Sequence, residues 1–287
     1  MIPSAMTRQS PTSSLADLPE AALWSSRTWP EFAGLASPKT HLVVLPVFGF
    51  GDWGLGRSLD LEEILGCGVL RAMLAAEPRR LDGLTVLPPL RFVLGPYPHS
   101  LFGIDYETAL DHVREIGESV AAAGMRRLIF FNTSPWNEEL METCACDLRA
   151  GVGLQTFVIN LETLGLDLHP TRSSTRMAVQ LAACALTRRA PGGDAPRSDV
   201  RLIDFRPGEH RQPPPLAWTR SIDTSVTEGW TVLAEAGSRL GGLIEAIDAH
   251  PPLAHDGAIP LQRPPGRAAA EPPPRKSAPR DANRPLP

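Results

Sequence analysis

Short apolar runs alternate with longer amphipathic stretches between residues 41 and 249, and this alternation constrains the fold more than any other feature. The short runs have the length of strands, and the longer stretches carry apolar residues at helical spacing. Such alternation is typical of an α/β fold in which a mostly parallel sheet is flanked by helices on both faces. The predicted strands are His41–Val47, Leu84–Leu90, Arg127–Asn132, Leu154–Leu161 and Val200–Phe205, and the predicted helices are Leu61–Ala76, Tyr106–Ala123, Thr171–Arg188 and Ser225–Ala249.

Local signals mark several ends of these elements. Asp105 is placed to cap the helix that begins at Tyr106, and Gly124 is placed to end it. Ser134 precedes Pro135 directly after a predicted strand. Because a serine oxygen can cap a helix and proline at the first helical position loses no needed donor, this pair predicts a further helix start.

Composition changes at both ends of the alternating body. Residues 1–38 are polar and loop-like, with a short helix expected around Leu15 to Ser25, and we interpret them as a partly disordered extension. Residues 39–250 form the predicted α/β domain. From Pro251 the chain is rich in proline and poor in large apolar residues, so residues 251–287 are predicted to be a disordered tail.

Charge and hydropathy argue against several classes of partner. The net charge is −4 and no basic stripe occurs, so we expect no nucleic-acid partner. No apolar run approaches the ~20 residues that span a bilayer, and the N-terminus lacks an apolar signal-peptide core. The four cysteines are expected to be buried, reduced thiols, and we predict a cytoplasmic protein.

The glycine-rich turn at Leu45–Gly54 follows the first predicted strand. In open α/β sheets, ligands bind beyond the carboxyl ends of strands, where such turns lie. This turn offers a single carboxylate, Asp52, and has Trp53 where a polar ligand would be expected. It therefore has the setting of an active-site loop without the usual reactive side chains.

Six segments follow one another along the chain: Leu45–Gly54, His99–Gly103, Gly124–Asn132, Thr133–Asn137, His169–Thr175, and Asp223–Trp230 with Thr227–Gly229 inside it. Together and in this order they resemble the creatininase family of metal-dependent amidohydrolases. The resemblance covers roughly residues 41–249. It implies the fold of that family, an oligomeric assembly, and a pair of divalent metals that activate a water molecule for attack on an amide carbon.

The same resemblance implies that most of the metal ligands are missing from this chain. The guanidinium of Arg172, which stands at one of the ligand positions, would repel a metal ion. Catalytic zinc centres and two-metal centres both need several protein ligands. In the best register, the loop Glu and His become Gly51 and Trp53, the strand-end His becomes Ser134, the late glutamates become Arg172 and Ser174, and Glu62 replaces an Asp.

Four acidic or imidazole side chains remain open between a functional and a structural interpretation: Asp52, Glu62, His99 and His169. Asp52 and Glu62 either remain as a metal-binding or acid/base pair, or they have structural roles only. In the structural interpretation, Asp52 is a turn aspartate and Glu62 is an exposed glutamate in the first turn of a helix. His99 and Asp52 are the catalytic candidates. His99 either acts on a substrate, as a base or as an orienting group, or it is a structural histidine hydrogen-bonded in its loop. His169 is a metal or anion contact, or only stands at a helix entry.

The candidate substrate-binding residues are Trp53, Ser134, Trp136 and Arg172. The two tryptophans are predicted to project into the vacated metal pocket and fill it, unless they are ordinary core aromatics. Ser134 is a nucleophile in a strand-to-helix turn, or only a helix cap. The guanidinium fork of Arg172 suits a carboxylate or phosphate.

The resemblance and its departures together predict a creatininase-like protein with a degenerate metal site and no resident cofactor. Such a protein would be a non-catalytic subunit or binding partner of an active amidohydrolase or biosynthetic enzyme, in a homo-oligomer or with a creatininase-family paralogue. The alternative is a working metal-dependent amidohydrolase with a rearranged Zn or Mn site formed by Asp52, Glu62, His99 and His169.

Overall fold

The computed structural model describes residues 14–28, 30–31, 40–53, 55–95, 103–169, 173–191 and 218–251. Its strands are β1 (Leu42–Phe48), β2 (Leu84–Val86), β3 (Leu90–Arg91), β4 (Val93–Leu94), β5 (Gly103–Ile104), β6 (Arg127–Asn132) and β7 (Gln155–Asn160). Its α-helices are α1 (Leu61–Ala76), α2 (Tyr106–Ala122), α3 (Glu138–Val152), α4 (Arg176–Thr187) and α5 (Ile222–Ala249).

A parallel sheet lies at the centre of the fold, as the alternation predicted. Its strands run in the order β2-β1-β6-β7, and β3 continues along the same edge of β1 as β2. Leu42–Val47 of β1 pair with the whole of β6, and both strands are buried throughout, which is the pattern of central parallel strands. The small pair β4–β5 lies apart from this sheet.

Successive residues of β1 face opposite sides of the sheet and belong to different hydrophobic clusters. Leu42 and Val44 pack in a cluster with side chains of α1, α4 and α5. Val43 and Leu45 pack in a second cluster with side chains of α2 and α3. The prediction of an α/β fold with helices on both faces of a mostly parallel sheet is therefore confirmed.

The chain before β1 packs on this body where it is described. The helix expected around Leu15 to Ser25 is replaced by three short 3-10 turns, Leu15–Asp17, Glu20–Ala22 and Trp24–Ser26. Pro19 stands between the first two turns, and proline disfavours a helical conformation of the residue before it. Ala22 is buried and Leu23 forms a bridge with Val86 of β2, so residues 14–28 are joined to the domain.

The cap at Asp105 is confirmed, whereas that at Ser134 is wrong. The Asp105 carboxylate accepts the backbone N–H of Thr108 at 3.0 Å. Ser134 makes no capping hydrogen bond, Pro135–Asn137 form a 3-10 turn, and α3 begins only at Glu138. The hydroxyl is fully buried and points towards Glu62 instead, which removes it from the helix end.

The last two helices differ from their predicted bounds. α4 begins at Arg176 after a 3-10 turn, and Thr171 lies outside the described residues. α5 begins at Ile222 with Ser221 as its cap, so Ser225 is interior rather than first. Within α5, Leu243 is exposed because its neighbour Ile244 takes the buried position.

The structure tests several other predictions only in part. Cys146 is exposed, whereas Cys67, Cys144 and Cys184 are buried as expected. The predicted strand Val200–Phe205 and residues 252–287 of the predicted tail lie outside the described residues. Among the helices of the described part, none is long and apolar enough to cross a membrane.

Candidate functional site

The candidate site lies where β1 and β6 end and α1 begins. Gly49 directly follows β1, and Thr133 and Ser134 directly follow β6. Because these strands are parallel neighbours, their carboxyl ends meet at one edge of the sheet. Glu62, in the first turn of α1, extends its side chain into this edge and is fully buried.

The Glu62 carboxyl group is held by hydrogen-bond donors. The backbone N–H of Gly49 donates to Oε2 at 2.8 Å, and the indole N–H of Trp53 donates to Oε1 at 3.1 Å. The Thr133 hydroxyl lies 3.4 Å from Oε2 and also 3.3 Å from the Val47 carbonyl oxygen. Both carboxyl oxygens are therefore engaged by N–H groups of the loop after β1.

Gly49 permits this arrangement because it has no side chain. A Cβ at this position would lie 2.6 Å from Glu62 Oε2 and 2.8 Å from Ser134 Oγ. Both distances are shorter than real Cβ contacts, so any larger residue would displace the carboxyl group or the hydroxyl. Ser134 Oγ is fully buried in the same space and forms no hydrogen bond with a described residue.

Burial dominates the acid–base behaviour of Glu62. Removal of the carboxyl group from water raises its pKa to about 7, against an ordinary value of 4.5. The Gly49 N–H, the Trp53 indole, and the nearby hydroxyls of Thr133 and Ser134 favour the ionised form and lower this pKa, but their effect is smaller. The group therefore titrates near neutral pH.

Aromatic rings cover the Glu62 carboxyl group. Trp53 stacks on Trp136 with ring centroids 5.9 Å apart and an angle of 24° between the planes. Trp136 in turn meets the His169 ring edge-on at 5.4 Å. Offset stacked and edge-on pairs are the favoured arrangements of aromatic side chains. Trp53 thus both donates to Glu62 and closes the space above it.

The loop that carries Trp53 is fastened to α4. The guanidinium of Arg57 donates to Gln180 Oε1 at 2.8 Å, to the Arg189 carbonyl oxygen at 2.6 Å and to Cys184 Sγ at 3.0 Å. Gln180 returns a hydrogen bond to the Leu55 carbonyl oxygen at 2.8 Å. These contacts fix the loop downstream of Trp53, and burial lowers the pKa of Arg57.

An amide network links the ends of β6 and β7 beside the site. Asn132 Nδ2 donates to Asn160 Oδ1 and to the Ser134 carbonyl oxygen, both at 2.9 Å. The Ser134 N–H donates back to Asn132 Oδ1 at 3.2 Å. These bonds hold the Ser134 backbone in place beside Glu62.

The structure brings together some of the residues predicted for the site and leaves others unplaced. Glu62, Trp53 and Ser134 share one buried space, with Trp136 and His169 adjoining Trp53 in the aromatic stack. The prediction of an exposed Glu62 as a structural alternative is wrong. Asp52 is half-buried in the same loop.

Two predicted residues, His99 and Arg172, lie outside the described residues. Within the part of the chain that is described, no three His, Cys, Asp or Glu side chains are grouped closely enough to hold a metal ion. The oxygens of Glu62 already accept N–H groups, and neither an indole nor a backbone N–H can ligate a cation. The described donor set therefore does not fit a metal centre.

Sequence reasoning missed the residues that support this site. Gly49 was noted only as part of a glycine-rich turn, although its place directly after β1 was a signal for close approach. Nothing in the sequence indicated that Gln180 would pair with the loop. Asn137, which donates to the Phe92 carbonyl oxygen and accepts the Leu94 N–H, likewise emerged only from the structure.

Comparison with known proteins identifies the fold through solved structures and not through sequence matches. The sequence matches no protein-family model, and the comparison with curated proteins likewise finds no match. Solved structures of creatininases do match in fold. They include a glutamate-to-glutamine mutant complexed with creatine, at 17% identity and a TM-score of 0.56, covering 80% of this chain and 99% of that one.

Two further matches agree with the first. A manganese form of creatininase has 18% identity and a TM-score of 0.55, over 80% of this chain and 99% of the other. A Bacteroides fragilis protein proposed to be a creatinine amidohydrolase has 12% identity and a TM-score of 0.51, over 82% of this chain and 99% of its own. At these identities the likeness shows that the chain has the creatininase fold.

Proposed function

We propose that this chain, which has the creatininase fold, is a creatininase-family protein with a degenerate metal site. It serves as a non-catalytic subunit or binding partner of an active amidohydrolase or biosynthetic enzyme. The observation that carries the proposal is the hydrogen bond from the Trp53 indole to the fully buried carboxyl group of Glu62. Trp53 and Ser134 stand at positions where the sequence resemblance implies metal-binding histidines.

The chemistry of these groups supports the proposal. Metal ligands offer lone pairs, whereas an indole N–H offers only a proton. The Trp53 ring, backed by Trp136, fills space above Glu62 with apolar atoms, and burial raises the carboxyl pKa towards neutrality. A divalent cation at this point would favour the ionised carboxylate and would require Trp53 to leave.

The test is elemental analysis of the full-length protein, purified without a polyhistidine tag and dialysed against zinc and manganese. The proposal predicts well below one metal ion per folded chain, and no ring-opening hydrolysis of creatinine to creatine or of simple cyclic amides to amino acids. An active creatininase, treated in the same way, is the positive control. Stoichiometric zinc or manganese, removable by chelator, would overturn the proposal.

The predicted role as a subunit has a separate test. We expect the full chain to associate with itself or with a creatininase-family paralogue from the same cell. Light scattering of the purified chain, alone and mixed with that paralogue, measures the assembly directly. A strictly monomeric chain that leaves the mass and activity of the paralogue unchanged would contradict this role.

A working amidohydrolase with a rearranged site is the second candidate, favoured by one observation. His169 lies in the aromatic stack that closes the site, edge-on to Trp136. In this alternative, His169 joins Asp52, Glu62 and His99 as a zinc or manganese ligand. The metal analysis separates the two candidates, and loss of bound metal on His169→Ala would identify that residue as a ligand.

A further inference from the structure

The space beneath Trp53 presents N–H and hydroxyl groups to Glu62, although the Thr133 hydroxyl also lies 3.3 Å from the Val47 carbonyl oxygen. The Gly49 N–H and the Trp53 indole N–H point to the two oxygens of Glu62 at 2.8 and 3.1 Å. The Thr133 hydroxyl lies 3.4 Å from the same carboxyl group. All of these residues are buried, so water does not compete freely for their donors.

Ser134 supplies a further, independent observation. Its hydroxyl is fully buried and meets no hydrogen-bond partner among the described residues. The hydroxyl and both Glu62 oxygens lie within 2.6 to 2.9 Å of the single point that a Gly49 Cβ would occupy. The Ser134 hydroxyl lowers the Glu62 pKa without making a hydrogen bond of normal geometry to it, so the lining has more hydrogen-bonding capacity than Glu62 uses.

We propose that Gly49, Trp53, Thr133 and Ser134 form a carboxylate-binding site, which the chain occludes with its own Glu62. A small monocarboxylate occupies this site when the Glu62 carboxyl group is absent. The inference rests on the proposed function, because it requires a site without metal. It extends that function by naming the chemical class of ligand, a small carboxyl compound where a metal centre would bind a cation.

The size of the ligand follows from the covalent structure of glutamate. Truncation of Glu62 to alanine removes one methylene and the carboxyl group, which together have the size of acetate. Propionate is one carbon larger and would overfill a close-packed space. The test therefore uses E62A, with acetate as the probe and propionate as the oversized analogue.

The experiment measures thermal unfolding and binding of full-length E62A at pH 6, in EDTA so that acetate cannot bind through a metal. We expect acetate to bind with a dissociation constant on the order of 10 mM, within the range open to a four-atom ligand. Acetate at several times that concentration should raise the midpoint of unfolding by about 2–4 °C relative to equal chloride. Propionate should have a much smaller effect.

Glu63→Ala is the matched control, since Glu63 is the next residue of α1. Its carboxylate pairs with Arg91 at 2.6 and 2.7 Å, away from Glu62. Acetate should leave the unfolding midpoints of E63A and of the unaltered chain unchanged. An equal rise in E63A, an equal effect of chloride or propionate, or no binding to folded E62A would overturn the inference.

If E62A is recovered unfolded, refolding yield gives the same information. Denatured E62A should refold in acetate and fail in chloride, and failure in both would also overturn the inference. Stoichiometric metal in the unaltered chain would instead refute the proposed function. A metal-free chain whose E62A variant ignores acetate would refute the carboxylate site alone.

Discussion

Substitution of Gly49 by alanine tests the close packing around Glu62 most sharply. Gly49 has a negative φ, so alanine adopts the same backbone conformation and any effect is steric. The added methyl carbon would lie 2.6 and 2.9 Å from the two Glu62 oxygens and 2.8 Å from Ser134 Oγ. Because Glu62 and Ser134 are fully buried, neither has solvent into which it can move.

The loss of stability expected for Gly49→Ala has two contributions. Overpacking of a buried site costs about 1–3 kcal/mol. Rotation of the Glu62 carboxyl group away from the methyl also breaks the hydrogen bond from the Gly49 N–H, and a bond to a charged group contributes about 1.5–3 kcal/mol. Partial relaxation makes these values less than additive, so we expect the free energy of unfolding to fall by about 3 kcal/mol.

Urea unfolding followed by circular dichroism measures this loss. Gly83→Ala is the matched control, because no atom lies within 4 Å of the position that its Cβ would take. That variant should be within about 1 kcal/mol of the unaltered chain. If Gly49→Ala proved as stable as Gly83→Ala, the described packing of Glu62 against Gly49 would be refuted.

Three further substitutions probe the same site. Trp53→Phe keeps the stacked ring but removes the donor to Glu62 Oε1, so it should lower stability by about 1–2 kcal/mol and raise the Glu62 pKa further, as read by carbon-13 NMR of the carboxyl group. Arg57→Met removes the hydrogen bonds to Gln180 and the end of α4, and should lower stability by about 2 kcal/mol in urea unfolding. Glu62→Gln should abolish the pH dependence that the Glu62 carboxyl group gives to the free energy of unfolding. Because the folded-state pKa of about 7 exceeds the ordinary value of 4.5, the stabilisation by Glu62 is full below about pH 4.5 and is lost as the pH rises through 7. This loss is on the order of 3 kcal/mol.

The tryptophan and arginine substitutions each have a control elsewhere in the chain. Trp230→Phe alters a core indole that packs with Arg71, and should leave the Glu62 pKa unchanged. Arg79→Met alters a side chain that is 77% exposed, and should change stability by less than about 0.5 kcal/mol. An equal pH dependence in Glu62→Gln and the unaltered chain would show that another group titrates.

The sequence was sufficient for the central elements because their signals are local. The predicted helix Leu61–Ala76 has the same bounds in the structure, and Arg127–Asn132 is a buried central strand as predicted. Both segments are buried along most of their length, and such long periodic or apolar runs leave few alternatives. The parallel arrangement follows from the alternation of these elements.

The side chains of the site could not be predicted in the same way, because their roles depend on contacts between distant segments. Glu62 is fully buried only because the loop after β1 places Trp53 and Gly49 against it. Ser134 was predicted to cap a helix, since Ser-Pro is a frequent start, but burial beside Glu62 prevails. The bond between Arg57 and Gln180 joins residues 123 positions apart.

The Trp53 indole N–H donates to Glu62, and the proposed function claims that no metal ion displaces it. The most direct test is nitrogen-15 NMR of the indole groups during zinc titration of the full chain, with the Trp53 signal assigned by its loss in Trp53→Phe. We predict that this signal keeps its position and its slow hydrogen exchange at stoichiometric zinc. A shift of the signal at one equivalent of zinc, together with rapid exchange of the indole proton, would contradict the claim.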